Sequence, residues 1–142
     1  MATSNAATTY LENKILDFLF KNNSSSFTTP GNSIYVGLAT AVADAEAGSL
    51  TEATFGSYAR QQVNAAGWTL ASASTDQQTV TNAANIEFPA STGTSNTVTH
   101  AFIVDAASSG NILFVGALDA NKTIATGDIF RINAGNLTIE LK

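Results

Sequence analysis

Residues Thr97 to Leu113 read TVTHAFIVDAASSGNIL. Side chains alternate between the two faces of a strand. Taking Thr97 to Asp105 as a strand puts Val98, His100, Phe102 and Val104 on one face. The other face carries Thr97, Thr99, Ala101, Ile103 and Asp105. His100 is the single histidine of the chain and shares the more apolar face. It is therefore expected to point into the core or a subunit seam, with one ring nitrogen hydrogen-bonded. Ser109-Gly110 marks a turn. Beyond it, NILFVGALDA (Asn111 to Ala120) is apolar on both faces, with Ile112, Phe114 and Leu118 against Leu113, Val115 and Ala117. Such a strand is covered on both sides. One cover is an opposing sheet; the other is a helix or a second subunit. Leu113 and Val115, with Arg131 of the strand-like IFRIN, are therefore candidate subunit-interface residues.

More strand-like segments lie on either side. They are SIYVGLAT from Ser33, SYARQQVNA from Ser57, WTLASAS from Trp68 and QTVTNAANIEFPA from Gln78. KTIATGDIFRI from Lys122 and NLTIELK from Asn136 follow. Phe88-Pro89 closes its ladder, because proline has no N–H to donate. Ala66-Gly67, Thr126-Gly127 and Ala134-Gly135 supply further turns. Eight or nine short strands with this punctuation predict a mainly β protein, an antiparallel β-sandwich or barrel.

One helix is predicted ahead of the strands. In TTYLENKILDFLFK, Leu11, Ile15, Phe18 and Leu19 fall at helical spacing and form one apolar stripe. Thr9 with Glu12 reads as a capping box, and Lys21 suits the negative end of the helix dipole. The stripe either covers the protein's own sheet or docks on a partner. The expected organisation is a single domain over residues 1–142, with a flexible leader over 1–9, the helix over 9–21 and strands over 33–142.

Composition narrows the function. Charged residues make up 12 % of the chain, about half the ~25 % of ordinary soluble domains. Net charge is −5, and only six Lys and Arg are present. Nucleic-acid affinity comes mostly from neutralised phosphates, so neither nucleic acid nor an anionic membrane is an expected partner. The absence of cysteine removes disulfides, thiolate catalysis and Cys-ligated zinc. No secretion signal and no membrane-spanning run is read in the sequence.

Chemistry-bearing patterns are few. Asp44, Glu46 and Glu52 fall in AVADAEAGSLTEATFG (Ala41 to Gly56), read as a long solvated loop. Their spacing does not fit an EF-hand, and no metal or other cofactor is expected. Asp105, Asp119 and Asp128 adjoin small residues, as turn-capping aspartates do. No G-x-S-x-G elbow or P-loop occurs, and His100 has no second histidine to share a metal, so no catalytic residue is assigned. Arg60 and Arg131 should face solvent or pair with carboxylates. Tyr35, Tyr58 and Trp68 are expected in core or edge packing. They would also be the platform of a carbohydrate-binding module, the third-ranked functional class.

The order of motifs resembles a family of small tailed-phage structural proteins. The residues carrying it are YLENKILDFLF, YVGLAT, SYARQQV, NIEFP, VTHAFIVDAASSGNILFVGAL and INAGNLTIEL, from about Tyr10 to Leu141. YARQ, VTHAFIVDA and AGNLTIEL are the most specific. Members are often described as tail fiber proteins, and similar proteins act as jelly-roll capsid cement, or decoration, proteins. The resemblance implies a jelly-roll-like sandwich and a non-enzymatic virion protein made in the host cytoplasm. Its first expectation is an outer-capsid cement protein, a trimer bridging subunits of the major capsid protein. A small tail fiber or baseplate component contacting the host is the alternative. Candidate partner contacts are Ala2, Thr3, Ser4, Asn5 and Tyr10 at the N-terminal segment, and Asp44, Glu46 and Glu52 in the long loop.

Overall fold

A computed structural model describes residues 5–21, 34–70 and 78–141. Within them the chain forms β1 (Ala6–Ala7), α1 (Thr9–Phe20), β2 (Tyr35–Asp44), β3 (Ser49–Glu52) and β4 (Gln61–Gln62). A 3-10 turn over Ala65–Gly67 leads into β5 (Trp68–Leu70), β6 (Gln78–Asn82) and β7 (Ile86–Glu87). The chain continues through β8 (Asn96–Val104), β9 (Ile112–Ile124), β10 (Arg131–Ile132) and β11 (Thr138–Leu141). Every strand pair is antiparallel. The main sheet runs β1-β9-β8-β2-β3, with β4 also on β2. Two smaller ladders, β10-β7 and β11-β6-β5, form the opposing side of a β-sandwich.

The main core lies between these layers. Val36, Leu38, Val98, Ala101, Ile103 and Ile124 of the main sheet meet Ile86, Phe88 and Ile132 of the smaller ladders. Trp68, Phe130, Leu137 and Ile139 flank them. A second cluster, Ala39, Ala45, Phe102, Val104 and Val115, covers the other face of the main sheet. β8 is thus apolar because both of its faces are buried.

Two irregularities reset the alternation expected along β8 and β9. Val98 pairs with Lys122, but the next pair is His100 with Ala117, so Thr99 alone faces Leu118 to Asn121. Bulges of this kind change which face later residues occupy. Val98 therefore joins Ala101 and Ile103 in the main core, not His100, Phe102 and Val104 as the simple alternation predicts. The second shift inserts Leu113, since Ile103 pairs with Phe114 and Val104 with Ile112. Ile112 consequently sits with Val115 in the second cluster, while Leu113, Phe114 and Leu118 pack on the main core.

The segment from Ala41 to Gly56 is not a long loop. β2 continues to Asp44 and turns back into β3, with Val42 opposite Leu50 and Asp44 opposite Ser49. Asp44 Oδ1 accepts from the N–H groups of Glu46 and Ala47, at 3.1 and 3.2 Å. Gly48 takes the left-handed conformation (φ +67°) that closes the hairpin. QTVTNAANIEFPA divides into β6 and β7, and its second strand ends before Phe88.

The helix cap also moves. Thr8, not Thr9, is the N-cap; its Oγ1 accepts from the Leu11 N–H at 3.3 Å. Tertiary bonds select Thr8. Its hydroxyl donates to the Ile112 carbonyl at 2.6 Å, and its N–H donates to the Leu113 carbonyl at 2.9 Å. Residues 5–8 are likewise not a free leader, because Ala6 and Ala7 pair with Val115 and Phe114 of β9.

Candidate interaction surfaces

His100 lies at the bulge. Its Nδ1 is 2.7 Å from Thr99 Oγ1, and its buried Nε2 has no hydrogen-bond partner. Burial holds its pKa below the usual histidine value. One bonded ring nitrogen is what the strand pattern predicts, and the residue belongs to a wall between Ala39 and Ala117.

Among the described residues, a dense polar cluster joins Glu52, Tyr58 and Arg60. Arg60 Nε and Nη2 donate to the two Glu52 carboxylate oxygens at 2.8 and 2.9 Å. Arg60 Nη1 also donates to the carbonyls of Ala106 and Ser109, at 2.9 and 2.7 Å. Tyr58 Oη donates to Glu52 Oε1 at 2.7 Å and accepts from the Leu38 N–H at 2.9 Å. The guanidinium lies 5.4 Å from the Phe102 ring centroid. Burial alone would raise the Glu52 pKa, but bonds from Arg60 and Tyr58 and the adjacent positive charge outweigh it and hold the carboxyl below its ordinary value. Burial, with that carboxylate beside it, pushes the Tyr58 phenol far up. The bond to Glu52 raises the Arg60 pKa. Bidentate geometry and mutual satisfaction make this a structural clamp. It fastens the β3 end and the Tyr58–Arg60 segment to the β8–β9 turn. Glu52 is therefore not a free partner contact, which corrects the sequence expectation.

The other predicted contacts gather where the helix begins. Thr9 N–H donates to the Glu46 carbonyl at 2.8 Å, so the β2–β3 hairpin tip props the start of α1. Asp44 and Glu46 are both exposed there, although the Asp44 carboxylate is engaged in its own turn. Asn5 Oδ1 accepts from the Ala117 N–H at 2.7 Å, fastening β1 to β9. Tyr10 is partly exposed beneath Lys14, whose Nζ lies 5.7 Å from the ring centroid. Ala2, Thr3 and Ser4 lie outside the described residues.

The predicted subunit-interface trio does not hold together. Val115 is 4 % exposed and belongs to the second cluster, so it offers no surface to a neighbour. Leu113 packs on the main core because the bulge turns it inward. Arg131 is exposed and, as predicted, meets a carboxylate: its Nη2 and Nε lie 2.6 and 2.7 Å from Glu87 Oε2. The aromatic trio is also dispersed. Tyr35 lies in the second cluster, Trp68 and Tyr58 in the main core, and the Tyr58 ring stacks on Phe88. No shared sugar platform results from these three.

Two surfaces emerge that the strand pattern did not reveal. Leu11 is the only buried residue of α1. Leu16, Leu19 and Phe20 are 54, 62 and 77 % exposed, so the apolar stripe serves the protein's own sheet only at its first turns. The run LDFLF held a hint of this, since Leu16 and Phe20 lie off the stripe. The second surface is a cleft of about 1120 Å³ between the main sheet and the smaller ladders. Its lining includes Phe114, Leu118, Phe130, Leu137 and Ile139, with Asn5, Ala6 and Ala7 of the β1 segment along one side. Among the described residues, no group of three or more His, Cys, Asp or Glu is arranged to hold a metal, and no helix is long and apolar enough to cross a membrane.

No curated protein matches the chain. A family profile described as Podophage GP4 fiber I protein gp80 matches residues 6–140, from β1 into β11. A match over that span takes in the sandwich, the clamp and the helix alike, and the chain belongs to this phage fiber protein family.

Proposed function

We propose that the chain is a small non-catalytic component of a phage fiber or tail, a compact module that holds other virion parts together or presents them to the host. The observation that carries this reading is the family match across residues 6–140. The chemistry of the described residues agrees with it. The Glu52–Tyr58–Arg60 cluster is satisfied internally, and the surfaces left over are an apolar helix end and a cleft lined by both apolar and polar side chains. Such surfaces bind protein through shape and burial.

Immunogold labelling of intact virions with an antibody to this chain tests the assignment. Gold at the tail or fibers is the expected result. Gold spread over the head would overturn it in favour of a capsid cement protein on the major capsid protein. That second reading draws on the fold itself, since the described residues form a sandwich with no repeat-built shaft. In either place many weak attachments sum to a strong one when copies are multiple.

A further inference from the structure

We propose that His100 makes the attachment of the N-terminal arm acid-sensitive: a proton on its ring loosens the β9 edge that holds β1 and the start of α1. Three observations meet at this residue. Its Nε2 is buried and has no hydrogen-bond partner. It stands at the register break between β8 and β9, where Thr99 alone faces Leu118 to Asn121. Its cross-strand neighbour Ala117 donates its N–H to Asn5 Oδ1 at 2.7 Å, the bond that fastens the beginning of the arm. The hydrogen bonds also assign the tautomer. Thr99 Oγ1 donates to the Ala39 carbonyl at 3.4 Å and lies 2.7 Å from His100 Nδ1. With that hydroxyl proton directed at Ala39, the ring donates through Nδ1, and Nε2 carries the lone pair. A buried acceptor without a partner is a tolerable defect, whereas a buried N–H without one is rare. Protonation turns the first into the second and adds a charge, which burial without a partner penalises further.

The neighbouring strands offer the proton no counter-charge. Ala39 of β2 and Ala117 of β9 flank the ring's own position in the sheet. One strand further, Glu52 stands opposite Ala39 but is engaged by Arg60 and Tyr58. Arg60 lies over Phe102, two residues along β8. Asp119 and Lys122, of opposite sign, lie in and just after the unpaired part of β9. None of these charges shifts the ring; burial alone lowers its pKa. Relief comes when β9 draws away at Ala117 and the ring meets water. The arm is the part that yields. β1 is two residues long at the edge of the main sheet, and Leu11 is the only buried residue of α1. Segments with so few buried contacts open locally, well below the cost of global unfolding. The open state takes up the proton near pH 6.5 and the closed state only below it, so the arm is held fully above about pH 6.5 and more loosely as pH falls. The device is independent of where in the virion the protein sits.

Amide hydrogen exchange of the full chain, followed by NMR at pH 7.5 and 5.5, tests this. With one histidine and no cysteine, His100 is the only side chain whose ordinary pKa falls between those values. After correction for intrinsic rates, protection of the Thr8 and Ala117 amides should fall about three- to tenfold, tenfold being the ceiling one proton sets across this window. The Gly135 amide, bonded to the Asn82 carbonyl at 2.8 Å in the opposing layer, is the control and should not change. In His100→Gln, and in His100→Asn made alongside it, the loss at Thr8 and Ala117 should vanish. The ring itself, followed in the same samples of the natural chain, should titrate below 6.5. Unchanged protection at Thr8 and Ala117 would overturn the proposal, as would an equal loss at Gly135, which marks a general loosening in acid. A loss that persists in either folded variant, or a ring that titrates at or above 6.5, would overturn it too.

Discussion

Arg60 stitches two sequence-distant turns together through one planar group. Removing it with Arg60→Ala strands the Glu52 carboxylate, which is partly shielded, and frees two carbonyls. The expected loss is about 3 kcal/mol, read as a lower denaturant midpoint at constant m. Tyr58→Phe keeps the ring stack and removes both hydroxyl bonds, so a smaller loss of about 1–2 kcal/mol is expected. The sequence left Arg60 either facing solvent or beside a carboxylate and did not single out Glu52, because that pairing depends on where β3 returns. His100 gives a pH signature. Its folded pKa lies below the unfolded value near 6.5, so the unfolded chain takes up the proton first. The stability it contributes is complete above about pH 6.5 and declines as pH falls toward the lowered folded value. His100→Gln should flatten that limb in denaturation midpoints measured between pH 7.5 and 5. The loss from Glu52, whose folded pKa is also depressed, begins lower, below the ordinary carboxyl value of 4.5.

At the level of elements, Gly37 and Thr8 set the geometry. A Cβ on Gly37 would lie 2.3 Å from Phe102 Cζ, and that ring is buried on β8 opposite Gly37. Gly37→Ala should cost about 1–3 kcal/mol by overpacking, measured by thermal or chemical unfolding. Adding Phe102→Leu should recover part of it, because the two residues share one space. Thr8→Ala removes the helix cap and the bond to Ile112, a loss of about 1–2 kcal/mol. The strands were legible wherever β-branched and aromatic residues alternate, as in Tyr35 to Thr40 and Thr97 to Val104. The bulges were not, because a bulge is a property of two paired strands and one strand's pattern cannot show it. The Ala-rich hairpin through Asp44 lacks β-branched density and reads as loop, although Asp44 and Gly48 hold its turn. Thr8 and Thr9 are equivalent caps by local sequence; contacts from β9 choose between them.

For the whole molecule, the Glu52–Tyr58–Arg60 cluster is satisfied internally while the last turns of α1 leave apolar side chains exposed. Leu19→Glu with Phe20→Glu should leave unfolding midpoints within about 0.5 kcal/mol of the natural chain, as exposed substitutions do. The same pair should reduce incorporation into virions, measured by the amount of this chain in purified particles from a complementation experiment. Sequence reading proposed the N-terminal segment as a contact region. It could not locate the cleft, whose walls come from β9, β10 and β11 and meet only after folding.

The short β1 has a mechanical consequence. When α1 is gripped by a partner and the particle is pulled, tension enters the body by two routes. One passes through Thr8 into β1, which is two residues long and paired at the edge of the main sheet. The other runs along the covalent chain from Lys21 to β2, a strand bonded to neighbours on both sides. The edge pairing yields first, and the body stays folded. The attachment would behave as a sacrificial latch, parting at two residues while the body itself stays intact.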